Sequence, residues 1–221
     1  MTADLRHIEV WLFDLDNTLY PPETAFMGLI EARMTDFVAR HVGLPRDEAH
    51  ALQKRYYREL GTTLAGLMAN HGVKPEDYLD DVHDVPLDSL TPDPELAAAI
   101  RRLPGRRLVF TNGDQRHAGR VLDHLGLADL FDNVFHIASA DYVPKPHPDT
   151  FDRLIKAHAI APRDAAFFED SEKNLAPAAA LGMTTILVGP HAEASTAPFV
   201  HHRTRRLAPF LNAARVRETA A

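Results

Sequence analysis

The chain contains no cysteine. No disulfide can staple it, no thiolate can serve as its nucleophile, and no cysteine-ligated zinc site can form. It also lacks an excess of positive charge: Lys+Arg number 24 against Asp+Glu 31, for a formal net charge of -7. That balance argues against a general polyanion or nucleic-acid binder, while leaving room for a local basic pocket around a single phosphate. The opening Met1-Thr2-Ala3-Asp4-Leu5-Arg6-His7-Ile8-Glu9 has no signal-peptide apolar stretch, and no run of residues reaches membrane-spanning length. A cytoplasmic protein with neither membrane nor nucleic acid as partner is expected. No internal repeat or low-complexity segment is present. The 13 histidines, His191, His201 and His202 among them, show no i, i+4 pairing of the kind a helical metal site favours, and are read as surface or core residues. What remains is 221 residues, 45% hydrophobic and 25% charged, enough for a globular α/β unit with a sizeable core and one inserted piece.

The chain is organised around residues 10–19. Val10-Trp11-Leu12-Phe13 suits a strand buried on both faces, and it runs directly into Asp14-Leu15-Asp16-Asn17-Thr18-Leu19. Tyr20-Pro21-Pro22 then breaks the strand. Helical spacing follows in four stretches: Phe26 to His41, stopped by Gly43; Arg46 to Leu60, ended at Gly61; a helix capped by Thr62 or Thr63; and a short one from Pro75. Residues 84–94, with three prolines, lead back to something else. From Pro94 onward helices alternate with short apolar strands, at 107–111, 133–138, 165–168 and 184–188, before a final edge strand and a helix over 205–214. Such alternation predicts a doubly wound, Rossmann-like parallel sheet. Residues 1–19 and 89–221 are expected to form the α/β core domain, with residues 20–88 inserted as an all-helical cap domain.

Four polar clusters fall where predicted strands end, the edge at which open α/β sheets bind ligands. Asp14 and Asp16 are two residues apart and need a cation or a proton between them. Thr111-Asn112-Gly113 offers a hydroxyl, an amide and backbone N–H groups suited to phosphate oxygens. Lys145 sits in a loop stiffened by Pro144, Pro146 and Pro148. Glu169-Asp170-Ser171 ends an apolar strand and suits a hard cation, although Asp170 or Ser171 also suits a helix N-cap. Gathered at one crevice, these groups are what magnesium-dependent phosphoryl transfer requires.

These residues resemble, in order, the four motifs of the haloacid dehalogenase superfamily: Phe13 to Leu19, then Thr111-Asn112-Gly113, then Lys145-Pro146, then Glu169-Asp170-Ser171 with Asn174. The helical block resembles that superfamily's small cap. Tyr57 to Met68, Val82-His83-Asp84 and Leu90 to Pro94 further resemble the pyrimidine 5'-nucleotidase group. Glu169 departs from the pattern, since many relatives carry Gly or Asp there.

The resemblance implies a phosphatase. Asp14 is the implied nucleophile, forming an aspartyl-phosphate. Asp16 is the implied general acid and then base, which predicts a raised pKa for its carboxyl. Mg²⁺ is expected at the Asp14 carboxylate, the Asp16 carbonyl and Asp170, supported by Glu169 and Asn174. Thr111, Asn112, Gly113 and Lys145 are expected to hold and neutralise the phosphoryl group. UMP and CMP are the implied substrates, with nicotinamide mononucleotide, a sugar phosphate or phosphoglycolate as alternatives. Tyr57, Arg58, Thr62 and Thr63 are the implied cap contacts, whereas Met68 is assigned to packing. A sugar phosphomutase would need cap cations such as Arg55 and Arg58, which equally suit a solvated helix face. Dehalogenation is disfavoured by Asp16, because a departing halide needs no proton. A non-catalytic phosphate-binding module is disfavoured by a complete residue set.

Overall fold

The computed structural model describes residues 2–218. Six parallel strands form one sheet in the order β3-β2-β1-β4-β5-β6: β1 is Val10–Phe13, β2 Arg106–Phe110, β3 Asn133–Phe135, β4 Ala165–Glu169, β5 Thr184–Val188 and β6 His202–Thr204. The centre is β1, paired in parallel with β2 on one side and β4 on the other. Its residues alternate between two cores. Trp11 and Phe13 pack with Val109, Phe168 and Ile186 on one face, while Val10 and Leu12 pack with Phe110, Phe167 and Leu187 on the other. This period of two explains the unbroken apolar run, since both faces of a doubly wound sheet are covered by helices. Phe13 stacks on Phe168 at 4.6 Å between ring centroids.

Between β1 and β2 lie α1 (Phe26–Val42), α2 (Arg46–Leu60), α3 (Thr63–His71), α4 (Pro75–Val82) and α5 (Pro94–Arg101). The first four share a hydrophobic cluster of their own, built on Phe37, Val38, Ala49, Tyr56, Leu64, Leu67, Tyr78 and Val82. Gly43 and Gly72 end α1 and α3 in left-handed conformation, and the Thr62 hydroxyl caps α3 by accepting from the Ala65 amide at 3.1 Å. Gly66 is where α2 and α3 touch: a Cβ there would meet Tyr56 Cβ at 2.6 Å and its ring closer still. Gly66→Ala is therefore expected to destabilise the protein by about 1–3 kcal/mol through overpacking, read as a fall of several degrees in Tm. An unchanged Tm would mean that α2 and α3 separate easily.

The remaining helices are α6 (Gln115–Leu125), α7 (Pro148–His158), α8 (Glu172–Ala180) and α9 (Leu207–Ala213). The strand expected over 133–138 ends at Phe135. Beyond it the Ile137 amide donates to Gly113 O, Ile137–Ala140 forms a 3-10 turn, and the Ile137 side chain joins the cluster of helices α1–α4. The helix expected from Asn174 begins two residues earlier, with Ser171 at the N-cap position but making no side-chain cap bond. The last helix starts at Leu207 rather than Arg205, because Arg206 is extended. Among the described residues no helix is long and apolar enough to cross a membrane.

Candidate active site

The chain leaves β1 for β2 and β3 on one side and returns for β4, β5 and β6 on the other, so the strand order reverses beside β1. Ligands of doubly wound sheets bind outside the carboxyl ends of the strands at this switch point. Asp14 follows β1 immediately, its amide donating to Phe168 O at 2.9 Å. Its Oδ1 accepts from Lys145 Nζ at 2.8 Å and its Oδ2 from the Thr18 hydroxyl at 3.1 Å. The lysine reaches in from the loop between β3 and α7 and is 1% exposed. All three of its ammonium donors are matched, by Asp14, by Glu169 Oε2 at 2.8 Å and by Phe110 O at 2.7 Å. Burial alone would lower the ammonium's pKa; the charges of Asp14 and Glu169 outweigh it and raise it.

The ammonium bonds two carboxylates, and a third, Asp170, lies beside them. Burial and then the charge of Glu169 push Asp14 up to about 7, against the pull of Lys145. The same two causes push Asp170 up to about 9. Asp14, Glu169 and Asp170 each offer an oxygen, and these atoms lie within 4.8 Å of one another. A hard oxygen set short of positive charge suits a small divalent cation. The buried Asn174 Oδ1, which has no hydrogen-bond partner, lines the same cavity. These residues fit a metal ion. Glu169, like Asp14, has both oxygens engaged, the second accepting from the Ser171 amide at 3.1 Å.

Asp16 departs from expectation. Burial pushes its carboxyl up, but the charge and hydrogen bond of His117, the Tyr20 hydroxyl and the charge of His83 together hold it down at about 2. Asp16 Oδ1 is 2.8 Å from His117 Nε2 and accepts from Tyr20 OH at 2.6 Å. The His117 ring is buried between Phe26, at 6.0 Å and nearly parallel, and His83, at 4.1 Å. His83 Nδ1 in turn lies 2.7 Å from Asp114 Oδ2, while Asp114 Oδ1 caps α6 through the His117 amide. Burial would lower the His117 pKa; Asp16 outweighs it and raises it. His117, set aside in the sequence, and His83, which entered there only through the resemblance of Val82-His83-Asp84, both stand beside Asp16. The signal for His117 was the helix-capping Asp114 three residues before it, a cue to helix geometry and not to a carboxylate 101 residues away in sequence.

The Thr111 hydroxyl accepts from the Gly113 amide at 2.9 Å. Asn112 uses both ends of its amide on Lys145: Oδ1 accepts from the Lys145 amide at 2.8 Å, and Nδ2 donates to Lys145 O at 3.2 Å. Its side chain therefore secures the lysine loop, where a free phosphate ligand was expected. Thr111, Asn112 and Gly113 nevertheless all line the cavity with Asp14, Asp16, Lys145, Glu169 and Asp170.

That cavity, of about 290 Å³, extends from Asp14 up into helices α1–α4. Thr62 and Thr63 line it, and Tyr57 stands at its wall, 45% exposed, with Lys173 Nζ 3.7 Å from its ring centroid. Arg58 does not line it; like Arg55 it is exposed on α2. Met68 packs in the helical cluster. Gly61, at φ +87°, sits where a Cβ would lie 3.1 Å from Pro144 Cγ and 3.2 Å from Lys145 O, so the helical layer presses on the lysine loop. Gln53, Tyr78 and Lys173 also line the cavity and carried no sequence signal apart from helical periodicity.

The sequence profile of the haloacid dehalogenase-like hydrolases matches residues 8–182. The chain is 30% identical over 197 residues to phosphate metabolism protein 8 of Saccharomyces cerevisiae, covering 81% of this chain and 61% of that one. It is 29% identical over 161 residues to (S)-2-haloacid dehalogenase of Xanthobacter autotrophicus, covering 71% and 62% respectively. The chain thus spans about three-fifths of the length of these curated relatives. A crystal structure of a HAD phosphatase from Thermococcus onnurineus shares the fold at a TM-score of 0.61 and 21% identity, over 95% of this chain and 100% of that one. On the strength of the matched motifs and the profile that spans them, the chain belongs to the haloacid dehalogenase-like hydrolase family.

Proposed function

We propose that this chain is a magnesium-dependent phosphomonoesterase acting through an aspartyl-phosphate, and specifically a 5'-nucleotidase for pyrimidine nucleoside monophosphates, UMP and CMP. The observation that carries the reading is the pair at the end of β1: Asp14 bonded to a buried lysine, and Asp16 two residues on, held by His117 and Tyr20. Hydrolysis of a phosphate ester needs a nucleophile and a separate group to handle the proton of an alkoxide. A halide leaves without one, so Asp16 favours phosphatase over dehalogenase chemistry. We take residues 20–88 as a cap over a core of residues 1–19 and 89–221. The nucleotide assignment draws its support from the cap stretch Tyr57 to Met68.

In this mechanism an Asp14 oxygen attacks phosphorus and the bond to the leaving oxygen breaks. That oxygen takes its proton from the Asp16–His117 pair, delivered through Asp16. Asp16 then removes a proton from the incoming water, whose oxygen attacks the phosphorus and releases phosphate and free Asp14. Lys145, with the backbone N–H groups after Thr111, offsets charge on the phosphoryl oxygens. A magnesium ion held by Asp14, Asp170 and the Asp16 carbonyl, with Glu169 and Asn174 beside it, supplies the positive charge that lets an anionic carboxylate meet a phosphate.

His117 is a positioning residue for Asp16. His117→Phe keeps the ring stack and removes the hydrogen bond. It is expected to lower kcat/KM on UMP, which reports the step in which the leaving group departs, about 100-fold while affecting kcat/KM on 4-nitrophenyl phosphate, whose leaving group needs no proton, far less. His117→Gln, which retains a donor near Nε2, is expected to recover part of the loss. Equal losses on both substrates would remove His117 from proton handling. The function itself is tested by phosphate release, with magnesium and with chelator, from UMP, CMP, AMP, nicotinamide mononucleotide, glucose 1-phosphate and 2-phosphoglycolate. Preference for UMP and CMP supports the reading. Uniform weak rates sink the pyrimidine assignment and keep the phosphatase, and glucose 6-phosphate formed from glucose 1-phosphate means a mutase.

A further inference from the structure

The part of the cavity formed by α1, α3 and α4 is lined by Met27, Ile30, Met34, Leu64 and Leu79. Three uncharged polar side chains interrupt this apolar lining, one from each of three helices: Gln53 from α2, Thr63 from α3 and Tyr78 from α4, at 2%, 4% and 2% exposure. Their hydrogen bonding is incomplete. The Tyr78 hydroxyl makes no hydrogen bond of good geometry, and its polar neighbour is the Thr63 side chain. The Gln53 Oε1 accepts from the Thr35 hydroxyl at 2.6 Å, which leaves its amide nitrogen only the Met34 thioether at 3.6 Å, a weak acceptor. The Thr63 hydroxyl makes one long contact, 3.5 Å, to Gln53 O.

Buried polar groups in folded proteins are ordinarily satisfied, and convergent polar groups in an apolar pocket are how such pockets orient a ligand. Packing holds Tyr78 and Gln53 in place. Phe37 meets the Tyr78 ring edge-on at 5.1 Å, and Thr35 anchors the Gln53 carbonyl. Burial pushes the Tyr78 phenol well above the ordinary tyrosine range, so its hydroxyl stays neutral, able to donate and accept.

We propose that Gln53, Thr63 and Tyr78 read the carbonyl-and-amide edge of an uncharged six-membered heterocycle on the leaving group. The proposal rests on the nucleotidase reading and adds which residues recognise the base. With the phosphate at Asp14, the same cavity carries the rest of the substrate up among the helices. The Gln53 amide and Tyr78 hydroxyl are donors for a ring carbonyl, and the Thr63 and Tyr78 oxygens are acceptors for a ring N–H or amino group. None of the three is charged, and Glu31, the acidic residue of the helical wall, is already paired with Lys54 at 2.6 Å. A neutral pyrimidine is matched; a cationic pyridinium ring finds no counter-charge among them.

The test compares kcat/KM for UMP with that for ribose 5-phosphate, which has the phosphate and sugar without the base. In each of the near-isosteric variants Tyr78→Phe, Thr63→Val and Gln53→Met, the preference for UMP is expected to fall about fivefold, mainly through KM. If the unaltered enzyme prefers UMP and all three variants keep that preference, the base-reading assignment fails and the nucleotidase reading stands. Parallel losses on both substrates overturn it equally. If the unaltered enzyme shows no preference for UMP over ribose 5-phosphate, the nucleotidase reading fails and takes this assignment with it. Should Gln53→Met fold poorly, Tyr78→Phe, which removes a single oxygen, decides.

Discussion

Asp14→Asn is expected to abolish phosphate release while leaving the fold intact. The replacement is isosteric, so an amide oxygen can still accept from Lys145 and the amide nitrogen can face the Thr18 hydroxyl, the two contacts that Asp14 makes now. The charge removed is one that burial and Glu169 already disfavour. Stability should therefore hold or rise slightly, with a Tm at or just above that of the parent. Activity behaves differently, because an amide cannot form the covalent phospho-enzyme. Loss of a nucleophile costs on the order of 10⁶ in kcat where the residues act as a unit. The measurements are kcat with UMP and a thermal melt on the same preparation. A purified, folded Asp14→Asn protein that keeps more than a small fraction of parental turnover would sink the nucleophile assignment.

Lys145→Met is expected to damage stability and activity together. Methionine fills much of the volume, beside Phe110 and Phe167, whose rings lie 4.8 Å and 5.3 Å from the ammonium. It supplies no charge and no donor. Asp14 and Glu169 would then face each other without the cation that each contacts at 2.8 Å, and Phe110 O would lose its partner. Breaking a buried ion pair from one side costs about 3–5 kcal/mol, roughly a 10 °C fall in Tm for a chain of this size. Loss of charge stabilisation should lower kcat by about 10²–10³. The double variant Lys145→Met with Glu169→Gln separates the two effects: removing the second carboxylate should return part of the stability and none of the activity. A single variant as stable as the parent would mean that the lysine does not hold these carboxylates together.

Much of the site was legible because it is encoded at strand ends. An apolar run followed at once by Asp14-x-Asp16, by Thr111-Asn112-Gly113 or by Glu169-Asp170 marks where a buried strand meets solvent, and parallel topology brings those ends to one edge. Lys145 was legible as a residue; its position, reaching from a loop to bridge Asp14 and Glu169, needed the fold. Asp16 shows the limit from the other side. The chemistry of a departing alkoxide predicts a raised pKa, yet the folded chain sets His117, Tyr20 and His83 around it and holds it low. A pKa depends on through-space neighbours: Tyr20 lies only four residues on, but His117 and His83 come from separate elements, and no local pattern in the chain points either of them at Asp16.

The amino-acid sequence by itself determined the element order, the parallel sheet and the carboxylates at its edge, because period-two burial, turn residues and strand termini are local properties of the chain. Only the tertiary structure decided which side chains complete the site. The His83–His117 stack on Asp16, the use of Asn112 to hold the Lys145 loop, and the convergence of Gln53, Thr63 and Tyr78 each join residues from separate elements. Their hydrogen-bonding and electrostatic roles arise from distances between elements, which helix and strand periodicity leave free and packing alone sets.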